Sequence, residues 1–423
     1  MKARNSIFSK SALAVAAATA MLVGAACSES DDKGIDSPEN NTAYSPISLS
    51  RAEQDIVDTQ NVFALKLYNS VAATGNNATS NFMISPVSVS MLMSVLSNGA
   101  DGDTRSQIVE ALGFGDADMD DVNALNSRLV RELTTADNRT TLSFANSGWL
   151  HSDFTVLDGF SSACRDNYGM EFANVNLHSA DAVSQINAWV NRNTEGLIEK
   201  VFDSPFDEDI RMVLANAVYF SGIWPEPFDK GATRAHKFTN ADGSKSTVQM
   251  MKNTKASGSS LHLDGVSVAS LEYGNGAFNL GLVLPHKGES LADIMSDVDG
   301  ETVNGWIDGL NRQILDIDLP RFDIEYSLDD MSGNLKALGI SDAFNEAAAD
   351  FSLLSKEKVF LSRVLHKTHI TVNEEGTKAA AVTSDGMFSS PLPESFTFDR
   401  PFAFFIYEKS TKAILFMGAV NKL

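Results

Sequence analysis

Cysteine is nearly missing. Two residues, Cys27 and Cys164, stand in a chain of 423, too few for a disulfide framework. No CxxC pair and no HExxH occurs, so the common spacings for bound metal are absent, and there is no GxSxG turn to present a hydrolase serine. Positive charge is short as well: 33 Lys and Arg face 55 Asp and Glu, a formal net charge of -22. That field repels polyanions, and no nucleic-acid partner is expected. Proline, at 11 residues, is sparse, and nothing looks collagenous, repetitive or coiled. What is left is a globular chain, 43% hydrophobic and long enough to bury a sizeable core, with no metal or cofactor called for.

The first residues carry an address. Lys2 and Arg4 precede Ser11–Ala26, an Ala-rich apolar run that is short for a membrane span and reads as a secretory signal. It closes on Leu22-Val23-Gly24-Ala25-Ala26-Cys27, and small residues directly before Cys resemble a bacterial lipobox, with Gly24 where that motif usually has Leu. The resemblance implies lipidation at Cys27; ordinary cleavage after Ala26 is the alternative. Acidic residues after Cys27 resemble the tag that sends lipoproteins to the outer surface in some Gram-negative groups. Residues 28 to about 50, rich in Ser, Asp, Asn and Pro, look like a flexible tether. The expected organisation is a signal peptide over 1–26, a tether over 27–50 and a folded domain over 51–423. The expected location is a lipid anchor on the outer membrane or cell surface, or alternatively the secreted fluid.

Periodicity predicts the elements. Ile56, Val57, Phe63, Ala64, Leu67 and Tyr68 fall near 3.6-residue spacing from Arg51 onward. Ser85-Pro86 starts a second helix over Val87–Leu96, with Ser85 available as its cap and Asn98-Gly99 as its stop. Leu142–Leu150 and Met212–Phe220 read as buried central strands, and Ser184–Val201 as a helix crossing their sheet. The last third alternates into strands at Ala277–Pro285, Gln313–Leu319, Val359–Asn373, Phe402–Glu408 and Ala413–Val420, with a short helix at Met331–Leu338. The fold class is α+β.

In this order the segments resemble the serpin family from about Arg51 to Leu423. The blocks that carry the resemblance are collinear: Asn81-Phe82-Met83-Ile84-Ser85-Pro86-Val87-Ser88, Ile186-Asn187-x-Trp189-Val190, Asn216-Ala217-Val218-Tyr219-Phe220 with Trp224 and Pro227-Phe228, Leu319-Pro320-x-Phe322, Leu338-Gly339-Ile340, Leu365-His366-Lys367, Val372-Asn373-Glu374-Glu375-Gly376-Thr377 and Arg400-Pro401-Phe402. The resemblance implies three β-sheets, about nine helices and an exposed reactive-centre loop between Glu374 and about Pro401. It implies an inhibitor that works once as a suicide substrate, not an enzyme, whose partner is a target serine or cysteine protease and whose default state is a monomer.

The hinge expected from the resemblance is Glu374, Glu375, Gly376, Thr377, Lys378, Ala379, Ala380, Ala381, Val382 and Thr383, a glycine followed by small residues. Small side chains suit a strand that must slip between packed neighbours. Thr377, Ala379, Ala381, Thr383, Asp385 and Met387 share one face, which in the family turns inward. Fourteen residues on from Gly376 is Ser390 and ten back from Pro401 is Pro391, so spacing selects the Ser390-Pro391 bond. Proline after a scissile carbonyl is poorly accepted, which leaves Phe388-Ser389 and Ser389-Ser390 as competitors suited to chymotrypsin-like and elastase-like pockets. Ser85, Ser88, Asn216 and His366 match the family's polar cluster beneath the large sheet, and Trp224 matches the aromatic at its top. Arg321 and Glu374 fall where the family often has a salt bridge. His366-x-x-His369 on a strand faces two ways and is not read as a metal pair. A non-inhibitory serpin serving as a binding protein or chaperone is the rival reading.

Overall fold

A computed structural model describes residues 43–376 and 393–423, apart from 116, 195 and 197–199. Nine α-helices occur among the described residues: α1 (Arg51–Ala72), α2 (Pro86–Gly99), α3 (Gly102–Ala111), α4 (Met119–Thr135), α5 (Asp158–Tyr168), α6 (Ala180–Asn193), α7 (Leu291–Ser296), α8 (Gly300–Gly309) and α9 (Ser332–Ala337). The strands are β1 (Phe82–Ile84), β2 (Thr140–His151), β3 (Glu171–Val175), β4 (Met212–Gly222), β5 (Arg234–Thr239), β6 (Lys245–His262), β7 (Val266–Glu272), β8 (Phe278–Pro285), β9 (Asn311–Pro320), β10 (Phe322–Leu328), β11 (Arg363–Val372), β12 (Glu394–Thr397), β13 (Phe402–Glu408) and β14 (Ile414–Val420).

They form two hydrogen-bonded sheets. One has five strands in the order β10-β11-β4-β2-β3; the other has nine, β1-β14-β13-β8-β7-β6-β9-β12, with β5 also on β6. The expected second and third sheets are thus continuous through β6, an 18-residue strand whose ladder with β9 breaks register between Asn253 and Ala256. A bulge of this kind lets one strand bend and serve two layers.

Local chemistry explains the elements around the five-stranded sheet. Ser50 and Glu53 form a reciprocal capping box at the start of α1. Ser85 sits at the N-cap of α2 but does not cap it; its hydroxyl donates to Leu415 O at 2.7 Å. α2 packs between β4 and β14 and is buried on every face, not only on the predicted apolar one. Two of its serines bond back onto the helix, Ser94 Oγ donating to Ser90 O and Ser97 Oγ to Ser94 O. On the opposite face α6 lays Ile186 and Val190 on Val213, Ala215 and Leu365 of β4 and β11. α6 ends at Asn193, short of the predicted Val201. Residues 43–50, assigned above to the tether, lie against the domain: Ile47 is buried and its N–H donates to Ser410 Oγ at 2.9 Å. The signal peptide, Cys27 and Thr377–Leu392 lie outside the described residues.

Candidate functional site: seam and hinge of the five-stranded sheet

Every residue of β4 is buried, and at the centre of its sheet it pairs with β11 in parallel, Arg363 against Val213 through His369 against Tyr219. All other neighbouring pairs in this sheet are antiparallel except the β2–β3 edge. β11 therefore has antiparallel β10 on one side and the parallel seam with β4 on the other.

Polar groups cross that seam. Asn146, Asn216 and His366 occupy one register row on β2, β4 and β11. His366 is fully buried, and its Nε2 accepts the backbone N–H of Ser85 at 3.0 Å. That acceptor role fixes the ring proton on Nδ1, which donates to Asn216 Oδ1 at 2.7 Å. Asn216 Nδ2 donates in turn to Ser88 Oγ and to Asn146 Oδ1, the latter at 2.6 Å. The loop is closed with no charge: burial lowers the His366 pKa to about 3, so the imidazole is neutral at ordinary pH. The structure brings Ser85, Ser88, Asn216 and His366 together as one cluster and adds Asn146. Nothing in the sequence singled out Asn146, an ordinary asparagine in an alternating strand. His369, three residues on, lies on the other face with Nε2 3.1 Å from Asp323 Oδ1.

At the end of β11 the chain reverses. Asn373 and Gly376 pair antiparallel around Glu374 and Glu375, exchanging N–H···O bonds of 3.1 and 3.2 Å. Gly376 also bridges Ile223, the residue after β4, in antiparallel sense. It holds φ of 107°, and a Cβ placed there would stand 2.3 Å from Gly222 O and 2.6 Å from Ile223 Cα. Only glycine fits.

Several side chains hold this turn. Glu374 is 2% exposed, and its carboxylate accepts from Arg321 Nε at 2.9 and 2.8 Å, from Arg321 Nη2 at 2.5 Å and from Thr233 Oγ1 at 2.5 Å. Burial alone would raise its pKa, but the bonds from Arg321 and Thr233 outweigh that and hold the carboxyl below its usual range. Glu375 meets Lys230, and its carbonyl accepts from Trp224 N–H at 3.2 Å. Trp224 stacks on Tyr273 with centroids 4.3 Å apart and donates its indole N–H to Asn373 O at 2.9 Å. Thr233, Lys230 and Asn373 are contacts that sequence reasoning missed, because the segments carrying them, one before β5 and one after β11, meet only in the fold.

A family model described as "Serpin (serine protease inhibitor)" matches residues 58–423. The chain belongs to the serpin family. A serine protease inhibitor of Cyanea capillata is 32% identical over 371 residues, covering 84% of this chain and 96% of its own length. Leukocyte elastase inhibitor A of Rattus norvegicus is 32% identical over 380 residues, 87% of this chain and 99% of that one. Among solved structures, tengpin, a thermophilic serpin in its native state, superposes with a TM-score of 0.81 at 28% identity, covering 90% of this chain and 97% of its own. The seam and turn described above therefore lie in a domain matched along nearly its whole length.

Proposed function

We propose that this serpin inhibits serine endopeptidases, elastase-like or chymotrypsin-like ones first and cysteine endopeptidases second, by inserting its cut loop between β4 and β11. The observation that carries this is the antiparallel bridge of Gly376 to Ile223: the first residue beyond the turn already lies against the extension of β4 in the sense an inserted strand would take. Continuing that strand replaces one parallel ladder by two antiparallel ones, and antiparallel pairing is the more stable per residue. The small residues from Thr377 to Thr383 suit passage through a packed seam, and the cluster around His366 and Asn216 would re-form its hydrogen bonds around the entering strand. In the chemistry proposed, the protease serine or cysteine attacks a carbonyl at Ser390, Ser389 or Phe388, and insertion outruns hydrolysis of the acyl-enzyme. The elastase inhibitor among the relatives and the lack of Lys or Arg near Ser390 both favour small or aromatic bait residues. Incubation with pancreatic elastase and with chymotrypsin tests this. A complex that survives boiling in detergent, with the released peptide placing the cut at 388–391, supports it; loop nicking without any complex refutes it.

A cavity of about 670 Å³ favours a second reading, a carrier of a small apolar molecule. It lies beside the end of α1 and α7, with Tyr68, Phe82, Leu291 and Met295 in its wall. Saturable binding of an apolar fluorophore, lost on Ala292→Trp, would favour it.

Export as a lipoprotein anchored through Cys27 is proposed on the leader sequence alone, and a monomeric state on the family default. Cys27→Ser should move the protein from the membrane fraction to the soluble one.

A further inference from the structure

Away from the seam, the hinge and the cavity beside α7, the domain holds a groove of about 660 Å³. The first turns of α1, the first half of α4 and the connection between α3 and α4 build it. That connection is pressed closely onto α1: Gly113 holds φ of 76°, and a Cβ there would stand 2.7 Å from Thr59 Cγ2. The floor is apolar. Ile56, Phe114 and Leu125 line it and are otherwise buried in the domain.

The rim carries charge of one sign. Glu53, Asp55, Asp118 and Asp121 line the groove against one cation among the described residues, Arg128. Two of these acids have structural duties: Glu53 completes the capping box of α1, and Asp118 caps α4 by accepting from Asp120 N–H at 2.9 Å. Arg128 is occupied as well, with Nη1 on Glu53 at 2.6 Å, Nε on Glu132 at 2.8 Å and Nη2 donating to Ser48 O. Asp55 and Asp121 remain. Both are exposed, and among the described residues neither is paired with a cation. Asp121 lies in the first turn of α4, where the helix dipole favours an acid, but Asp55 stands beyond the first turn of α1 and gains little from that source.

The size of the space and its surroundings select the kind of occupant. A groove of this volume is on the scale of a small-molecule site. The exposed large hydrophobic side chains among the described residues are Leu263, Ile314 and Leu353, and none of them lines it. A protein partner would therefore find little apolar surface to cover beyond the groove itself. The ring of Phe114 and the free carboxylates attract an ammonium or guanidinium, while Ile56 and Leu125 offer burial to an apolar body. An anion would be repelled by the rim, and an uncharged apolar molecule would gain nothing from it.

We propose that the groove between α1 and α4 binds a small organic cation with an apolar body, the charge held at the rim by Asp55 and Asp121 and the body resting on Ile56, Phe114 and Leu125. The site does not depend on the inhibitory reading. Dansylcadaverine, a fluorescent aromatic ring on an alkylammonium arm, is the probe, titrated into the full chain. Its emission should shift to the blue and saturate at one molecule per chain, and added salt should weaken the binding by screening the rim. Asp55→Asn combined with Asp121→Asn should weaken it about tenfold, the size of two exposed ion pairs together. Dansylamide, which has the ring without the charge, should bind at least about tenfold more weakly, and spermine, which has charge without an apolar body, should not displace the probe at equal concentration. Ala124→Trp, placed on an exposed position of α4 that lines the groove, should abolish binding, whereas Ala292→Trp in the other cavity should leave it unchanged. If Ala124→Trp does not fold, the Asn pair, which alters only exposed side chains, decides the matter. Absence of saturable binding, equal binding of dansylamide, displacement by spermine, full binding by the Asn pair or loss of binding on Ala292→Trp would each overturn the proposal.

Discussion

His366 shows how one residue sets the chemistry of the seam. Below pH 6.5 the unfolded chain binds a proton on this imidazole, whereas the folded protein does so only near pH 3. Stability is therefore lost as pH falls through that window, by up to about 1.4 kcal/mol per unit. Urea midpoints measured from pH 7 to 4 should decline, and His366→Gln should flatten the decline. Gly376 makes a complementary point. With φ of 107° and backbone atoms inside contact distance, Gly376→Ala should cost roughly 1–3 kcal/mol in urea unfolding, although the residue lies at the end of a strand rather than in the core. Both residues stood out in the sequence through the family resemblance, but only coordinates give the tautomer of His366 and the close approach at Gly376. Cys164 is buried, and desolvation pushes its thiol up to about 12.

At the scale of elements, legibility followed hydrophobic contrast. Met212–Phe220 is almost wholly apolar and emerged as β4 with one end in place and two residues more at the other. α1, β8, β13 and β14 likewise match their predicted spans closely. β6 escaped notice because its sequence, Lys-Ser-Thr-Val-Gln-Met-Met-Lys-Asn-Thr-Lys-Ala-Ser-Gly-Ser-Ser-Leu-His, is mostly polar and its period is broken at the bulge. That omission is also why the joining of two expected sheets was invisible. Helix ends were less legible than strand cores: α6 stops at Asn193 because Thr194 turns its hydroxyl back onto Val190 O at 3.0 Å. For the loop, the alternation assigned to Thr377–Met387 makes a sharp prediction. Ala381→Arg, on the face assigned inward, should leave the rate of cleavage within about threefold but abolish stable complex, since an arginine cannot be buried unpaired in the seam. Gel assays with elastase would show cut serpin and free protease.

The described residues from 43 onward form one compact unit in which a parallel seam is flanked by antiparallel strands and lined by uncharged polar groups. On the inhibitory reading, such a sheet gains stability by accepting the cut loop as a further strand, entering from the turn held at Glu374. The net charge of -22 contributes to solubility and keeps polyanions away but has no part in that exchange. On the inhibitory reading, the native fold sits above a more stable form reached when the loop is cut. Thermal unfolding before and after a single cut between 388 and 391 measures this directly. A rise in Tm of about 20 °C or more, equivalent to well over 5 kcal/mol for a chain of this size, is the predicted result; an unchanged or lower Tm in the cut protein would contradict the account.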